Sequence, residues 1–125
     1  MKFESISSAT APKAIGPYSP AIAAGGTIYI SGQLGIDPTS GELEPGVKAQ
    51  TDRAILNLKA LLASEGLGLG DIAKTTIFLA DMADFPVVNE VYASHFVTPY
   101  PARSTVQVGA LPKGGRVEIE AIAVR

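Results

Sequence analysis

The sequence contains no cysteine, no tryptophan and only one histidine among its 125 residues. Without cysteine the chain can form neither disulfide bonds nor thiolate metal sites, and it has no thiol nucleophile. The single histidine, His95, cannot build a catalytic triad or a histidine-based metal centre by itself. We therefore expect no disulfide framework and no metal, and we interpret His95 as a structural residue.

Positive charge is also scarce, and it is scattered. The 10 basic and 12 acidic side chains give a formal net charge of −2, and no run of lysine or arginine occurs. A nucleic-acid groove or an electrostatic membrane anchor needs clustered basic residues, so we expect no nucleic-acid partner and no membrane partner. No apolar run approaches the length that spans a bilayer, and the segment "MKFESISSATAPK" lacks the apolar core of a signal peptide. These features predict a cytoplasmic protein.

The chain is 46% hydrophobic and 18% charged, a composition that is typical of a globular protein. A length of 125 residues favours a single domain over 1–125. In "AIAAGGTIYISGQLG", Gly25 and Gly26 separate two short apolar runs and predict a hairpin. Residues 27–31 alternate in polarity as a half-buried strand does, and a further short strand is expected around residues 3–6.

Two segments show helical periodicity. Over 47–65, apolar residues recur at helical spacing, and Gly66 is placed to end that helix. Asp84 is a candidate N-cap for a second helix that tolerates Pro86 in its first turn. Its expected core face consists of Phe85, Val88, Tyr92 and Phe96.

Strands are predicted over 72–80, 103–108 and 116–124 because these segments are rich in β-branched residues or alternate in polarity. The resulting order predicts an α+β fold, a mixed six-stranded sheet with two helices on one face. Each helix can serve as a crossover between parallel strands. A chain of this length has no third layer for the other sheet face, so we expect that face to be covered by self-association.

The segment "TPYPARSTVQV" stiffens the backbone with Pro99 and Pro101 directly before Arg103. Arg103, Thr105 and Gln107 share one face of the predicted strand. Arg103 either pairs with a strand glutamate at the surface or presents a preorganised guanidinium that binds a substrate carboxylate bidentately. The prolines favour the second interpretation, because they fix φ where the position of the arginine must be reproducible.

Other polar residues are candidates for a functional site, although each could instead have an ordinary structural role. Glu118 and Glu120 share one face of the last predicted strand. Glu120 lies where the polar surface meets the core and the environment of a carboxylate can be tuned. Tyr18 stands between prolines in "IGPYSP" and could equally pack on a loop. Ser31 is followed by Gly32, which would let a ligand approach the backbone, although a turn serine is the simpler interpretation. Asn89 lies one turn into the second helix and could equally be solvated.

Taken together and in order, five motifs resemble the RidA/YjgF family of reactive-intermediate deaminases. They are "AIGPYSPA", "ISGQLG", "NLKALLASEGLGLGDIAKTTIFLADMADFPVVNEVY", "PARSTVQV" and "LPKGGRVEIEAIAV", which cover nearly the whole chain. The resemblance implies a chorismate-mutase-like fold assembled as a homotrimer, with clefts between subunits. It also implies hydrolysis of enamines and imines, such as 2-aminoacrylate and 2-imino acids, to 2-keto acids and ammonia, with no cofactor.

The resemblance also implies roles for individual residues. Arg103 corresponds to the carboxylate-binding arginine, and Glu120 would position and polarise the attacking water. Thr105 stands where many members carry cysteine; it can hydrogen-bond but cannot act as a thiolate. The remaining implied substrate-binding residues are Tyr18, Ser31, Gly32 and Asn89, of which Tyr18 and Asn89 would meet an arginine of another chain. A non-catalytic trimer that binds small carboxylates, and a ribonuclease, are the alternatives.

Overall fold

The computed structural model of the protein describes residues 2–125, which form one mixed sheet and two α-helices. The helices are α1 (Gly46–Ala63) and α2 (Phe85–His95). The sheet order is β1-β2-β3-β6-β4-β5, and only the β4–β5 pair is parallel. The strands are β1 (Phe3–Ile6), β2 (Ala21–Ala24), β3 (Thr27–Leu34), β4 (Ile72–Leu79), β5 (Ala102–Gln107) and β6 (Val117–Val124). The predicted α+β fold is confirmed.

The β2–β3 hairpin turns at Gly25 and Gly26, as the sequence predicted. Gly25 has φ +61°, a left-handed conformation that glycine adopts without steric cost. Strand β3 continues three residues beyond the predicted end, and its register against β6 shifts between Ile30 and Gln33. The shift is a bulge that contains Ser31 and Gly32. These two residues therefore leave the regular ladder in the middle of the sheet.

Both helices connect parallel strands, as expected. Helix α1 leads from β3 to β4, which are both antiparallel to β6 and therefore parallel to each other. Helix α2 leads from β4 to the adjacent parallel strand β5. Within the described residues, neither helix has both the length and the apolar character that crossing a bilayer requires.

The core lies between the sheet and the two helices. Alternate residues of β6, among them Val117 and Ile119, are fully buried beneath α1, and Thr75, Ile77 and Leu79 of β4 are buried on the same face. The opposite face, which we call the open face, is covered by no helix of residues 2–125 and leaves large side chains in solvent. Among them are Tyr29, Val106 and Val124, each between 43% and 51% exposed. The prediction that the helices cover only one face is confirmed.

The helix ends differ in detail from the sequence prediction. Helix α1 ends at Ala63 with Ser64 as its cap, and Gly66, at φ +71°, lies in the turn beyond. Asp84 does precede α2, but its carboxylate caps no backbone N–H of that helix. The carboxylate instead accepts two-pronged hydrogen bonds from Arg116, the shortest 2.7 Å long. A guanidinium donates more strongly to a carboxylate than a neutral backbone N–H does, so the pair displaces the cap.

Two buried amides on α1 tie this helix to β3 and β6. Asn57 Nδ2 donates to the carbonyl oxygen of Leu34 at 3.2 Å, and Gln50 Oε1 accepts from the backbone N–H of Arg116 at 2.9 Å. Helix and strand approach closely at Gly35, where a Cβ atom would lie 2.3 Å from the backbone oxygen of Gln50. These contacts fix the end of β3 and the start of β6 relative to each other.

His95 joins the two helices. Its Nε2 lies 2.6 Å from Asp52 Oδ1, so the last turn of α2 is linked to α1. The structure thus gives His95 a partner on the neighbouring helix, which agrees with the structural role expected from the sequence.

Candidate active site

The structure divides the candidate residues between the two faces of the sheet. Arg103 and Thr105 lie opposite Thr75 and Ile77 of β4, which are buried under the helices, so these two side chains point to the helix face. Glu120 lies opposite Thr76 and therefore points to the open face. In a single chain the arginine and the glutamate are separated by the sheet itself.

On the helix face, Arg103 borders a cavity of about 440 Å³, which we call the arginine pocket. Its guanidinium lies 4.8 Å from the centre of the Tyr92 ring and 5.5 Å from that of Phe85. Between residues 2 and 125, Arg103 has no carboxylate partner. The alternative of a surface ion pair with a strand glutamate is therefore wrong within the chain. The pocket is lined by Asn89, Tyr92, Ala93, Tyr100, Pro101 and Arg103.

Thr105 contributes a buried hydroxyl to the same face. Its Oγ1 is shielded from solvent, and in the described part of the chain it has no hydrogen-bond partner. A buried polar atom without a partner is costly, and native structures seldom keep one without a reason. Thr105 thus retains unused hydrogen-bonding capacity two residues from Arg103 along β5.

On the open face lies a larger cavity, of about 720 Å³, which we call the carboxylate pocket. It brings together four of the sequence candidates, Tyr18, Ser31, Gly32 and Glu120, and adds Glu118. The bulge of β3 explains the grouping, because it places Ser31 and Gly32 beside the two glutamates of β6.

Ser31 holds the Tyr18 loop against the sheet. Its hydroxyl donates to the carbonyl oxygen of Ser19 at 2.7 Å, and its backbone N–H donates to that of Pro20 at 2.9 Å. Tyr18 is 52% exposed at the mouth of the pocket. The serine hydroxyl is thus already engaged, and its evident contribution is to place Tyr18.

The residue that sequence analysis missed is Glu118. Burial raises the pKa of the Glu118 carboxyl above its usual value, and the negative charge of Glu120 raises it further. Glu120, which was expected to have the tuned environment, is exposed instead. The alternation along β6 placed both glutamates on one face, but only the position of Gly32 shows which is enclosed: the Glu118 side chain packs over it.

One further expectation is corrected. The resemblance implied that Asn89 would meet an arginine of another chain, but Asn89 lines the arginine pocket of its own chain. Tyr18 lines the carboxylate pocket on the opposite face, so its approach to an arginine of another chain stays a prediction. Glu120 and Arg103 point to opposite faces within one chain, so their joint role in one site also stays a prediction.

Gly32→Ala is expected to displace the Glu118 carboxyl group and to lower about tenfold the kcat of a reaction that uses this group, with little loss of stability. A Cβ at this position would lie 2.7 Å from Cδ and 3.0 Å from Oε1 of Glu118. The carboxylate would move toward solvent, which costs the fold little but misplaces the group. Steady-state kinetics and urea denaturation measure the two effects. Gly109→Ala, where a Cβ meets nothing within 4 Å, is the control. Unchanged kcat in Gly32→Ala would mean that the position of Glu118 does not matter.

Within residues 2–125, one face of the sheet thus presents an arginine without a carboxylate partner, and the other presents a shielded carboxyl group. The first is a group that can bind an anion, and the second is one that can transfer a proton. Comparison with known proteins shows the family to which the chain belongs. Residues 8–125 match the family model described as Endoribonuclease L-PSP, and the chain belongs to this family, also called RidA/YjgF.

Three relatives illustrate the similarity, and each matches over most of its own length. A bovine protein named 2-iminobutanoate/2-iminopropanoate deaminase is 54% identical over 121 residues, which cover 96% of this chain and 88% of the relative. The crystal structure of RidA from an Antarctic Psychrobacter has a TM-score of 0.95 at 48% identity and covers 98% of this chain and 99% of its own. The structure of Escherichia coli TdcF with bound serine has a TM-score of 0.92 at 44% identity, with 98% of both chains covered.

Proposed function

We propose that the protein hydrolyses 2-imino acids and their enamine tautomers, such as 2-aminoacrylate, to 2-keto acids and ammonia. The observation that carries this proposal is the high identity, over nearly the whole chain, to proteins named 2-iminobutanoate/2-iminopropanoate deaminase. The two pockets supply what such a substrate needs, a cation for its carboxylate and a carboxyl group for proton transfer. The cytoplasm remains the predicted compartment.

In this proposal Arg103 binds the substrate carboxylate. A guanidinium presents several N–H donors in a planar fork that matches a carboxylate, and no side chain of the described region occupies that fork. Asn89 and Tyr100, which line the same pocket, lie beside the bound acid. The unpartnered hydroxyl of Thr105 is available to the ligand from the same strand face.

Glu118 carries the proton transfers. An imine carbon is already electrophilic, so hydrolysis requires a positioned water more than a strong nucleophile. The ionised carboxylate accepts a proton as water adds to the imine carbon, and it returns that proton to the nitrogen to give a carbinolamine. It then accepts the hydroxyl proton of the carbinolamine as the C=O bond forms, and it delivers this proton to the nitrogen as the C–N bond breaks and ammonia leaves. The raised pKa of Glu118 brings its protonated and ionised forms closer to balance near neutral pH, which suits a group that must do both.

A complete site needs two chains. The arginine pocket and the carboxylate pocket open on opposite faces of one sheet, so a substrate held by Arg103 meets Glu118 only if the Glu118 comes from a neighbouring subunit. The open face also leaves Tyr29, Val106 and Val124 in solvent, as expected of a surface that other subunits cover. We therefore propose the homotrimer implied by the family, with a site at each subunit interface.

An imine-trapping assay tests the activity and the shared site. An amino-acid oxidase generates 2-imino acids in the presence of semicarbazide, and the wild-type protein should lower semicarbazone formation. Arg103→Ala and Glu118→Gln should each be inactive. Subunits of the two variants, mixed by unfolding and refolding, should recover about a quarter of the activity, because a site needs an intact residue from each of two randomly chosen chains. No effect of the wild type would reject the deaminase, and no recovery on mixing would reject the shared site.

A non-catalytic carboxylate-binding protein is the second candidate, favoured by one observation: the TdcF structure contains bound serine. Arg103 would serve either function. Glu118 discriminates between them, since a protein that only binds carboxylates gains nothing from a second carboxylate beside the ligand. A ribonuclease, which the family description names, is disfavoured by the net charge of −2 and the scattered basic residues.

A further inference from the structure

Arg103 is held differently from every other arginine of the chain. Arg53, Arg116 and Arg125 each contact a carboxylate at 2.7–3.0 Å. The Arg103 guanidinium forms no such contact with any of residues 2–125, and it lies instead over the faces of two aromatic rings. Prolines can fix its backbone, but a long side chain with free rotamers needs separate support.

We infer that the rings of Phe85 and Tyr92 position the Arg103 guanidinium for the substrate carboxylate, which makes them positioning residues of the site. The inference rests on the proposed role of Arg103. A ring attracts the flat face of a guanidinium, whereas its N–H donors project from the edges in the plane. A carboxylate partner within the chain would occupy those donors. The aromatic support holds the cation and leaves the whole fork free for a ligand.

Tyr92 is itself rigid enough to serve as a support. It is only 4% exposed, its hydroxyl shares a 2.8 Å hydrogen bond with that of Thr75, and its ring stacks on Phe96 with centroids 4.2 Å apart. Burial raises the pKa of the Tyr92 phenol, which therefore stays neutral at physiological pH. The Tyr92 ring, its hydroxyl and the stacked Phe96 ring are all fixed. Tyr92 therefore holds the guanidinium at a defined position relative to the β4–α2 interface.

Phe85 supplies the second ring from the first turn of the same helix. Phe85 and Tyr92 are seven residues apart, so both project from one side of α2, with Asn89 between them in sequence. One helix thus carries both supporting rings and the amide that lines the pocket beside Arg103. The sequence pattern had assigned Phe85 and Tyr92 only to the hydrophobic core.

The test compares variants within this aromatic cluster. Tyr92→Leu removes the ring that faces Arg103, Tyr92→Phe keeps it, and Phe96→Leu removes the stacked ring on the far side as a matched control. The Kd of 2-oxobutanoate, a 2-keto acid product, is measured by calorimetry, with kcat and KM from the deaminase assay and Tm for stability. Tyr92→Leu should raise Kd and KM about tenfold with a smaller change in kcat, because the interaction serves ground and transition state alike.

Phe96→Leu should lower Tm comparably but change Kd less than about twofold, and Tyr92→Phe should restore most of the affinity. Equal changes of Kd in Tyr92→Leu and Phe96→Leu would overturn the inference, since general loosening would then explain both. If Tyr92→Leu does not fold, Phe85→Leu carries the same expectation at about threefold. Unchanged Kd in Arg103→Ala would instead reject the proposed role of Arg103. Weakened binding in Arg103→Ala with wild-type Kd in both ring variants would reject only the aromatic support.

Discussion

Arg103→Ala should lower kcat/KM for 2-imino acids by about a hundredfold or more. The substitution removes a charge-assisted, two-pronged hydrogen bond to the substrate carboxylate, and truncation of such an enclosed charged contact costs about 2–5 kcal/mol. Each tenfold in rate corresponds to about 1.4 kcal/mol. The loss should fall on KM and kcat together, since a substrate without its anchor is both weakly held and poorly aligned. The imine-trapping assay with several amino acids measures it.

Two further variants test whether the loss of activity depends on the Arg103 guanidinium in particular. Arg125→Ala removes an exposed arginine whose partner is Glu65, at 3.0 Å, and should leave both activity and stability nearly unchanged. Arg103→Lys keeps the charge but not the planar fork, and it should recover only part of the lost affinity. Full deaminase activity in Arg103→Ala would mean that the substrate is oriented by another group, and the proposed mechanism would then be wrong.

The architecture could be predicted from the sequence because its local signals agree with the tertiary structure. Helical periodicity, the paired glycines of the hairpin and the β-branched runs each specify one element, and the elements admit few connections. The ends of the helices and strands could be predicted less accurately than their existence. The β3 bulge could not be foreseen, because a shift of register depends on the partner strand β6 rather than on the residues of β3.

The sequence also predicts which residues of one strand share a face. It does not predict which faces of different strands lie on the same side of the sheet. Alternation correctly grouped Arg103 with Thr105 and Glu118 with Glu120. It carries no information on how the faces of β5 and β6 relate, since that is set by the pairing of both strands with β4. The resemblance implies that Glu120 and Arg103 act in one site between subunits, and in a single chain the sheet separates them, so this joint role stays a prediction.

The choice between the glutamates illustrates a different limit. A pKa depends on how much water surrounds a carboxyl group, and that is decided by the neighbouring strand and loops. Glu118 is shielded because the bulge brings Gly32 beneath it, while Glu120, two residues further along β6, remains in solvent. Sequence alternation treats the two positions as equivalent, so the three-dimensional contact was needed to separate them.

Glu118→Gln should lower kcat by about a hundredfold or more while the Kd of 2-oxobutanoate changes little. Loss of a positioned general acid–base typically costs 10²–10⁴-fold, whereas Gln preserves the size of the side chain. Glu120→Gln is the matched control, with the same chemical change two residues away on the same face, and it should retain most of the activity at pH 7. Equal losses of kcat in both variants would show that the pair acts as a unit. The reverse order would return the catalytic role to Glu120.

The pH dependence sharpens this comparison. If the ionised Glu118 carboxylate accepts a proton from water, kcat/KM falls as the pH drops through the pKa of Glu118, which burial and the charge of Glu120 hold above its usual value. Glu120→Gln removes that charge, so the acid limb of the wild-type profile should move to lower pH. Glu118→Gln should abolish the limb altogether. A limb that persists unchanged in Glu118→Gln would assign the proton transfer to another group.

The raised pKa of Glu118 also predicts that this residue has opposite effects on stability and on activity. Folding favours the protonated form of Glu118, so its contribution to the free energy of unfolding is fully present at low pH and is lost as the pH rises through the raised pKa. Above that pKa the ionised carboxylate is held against the cost of burial and the repulsion of Glu120. Glu118→Gln should therefore raise Tm at pH 7 more than at pH 4, while it removes activity. A residue kept at the expense of stability is expected of a group selected for catalysis.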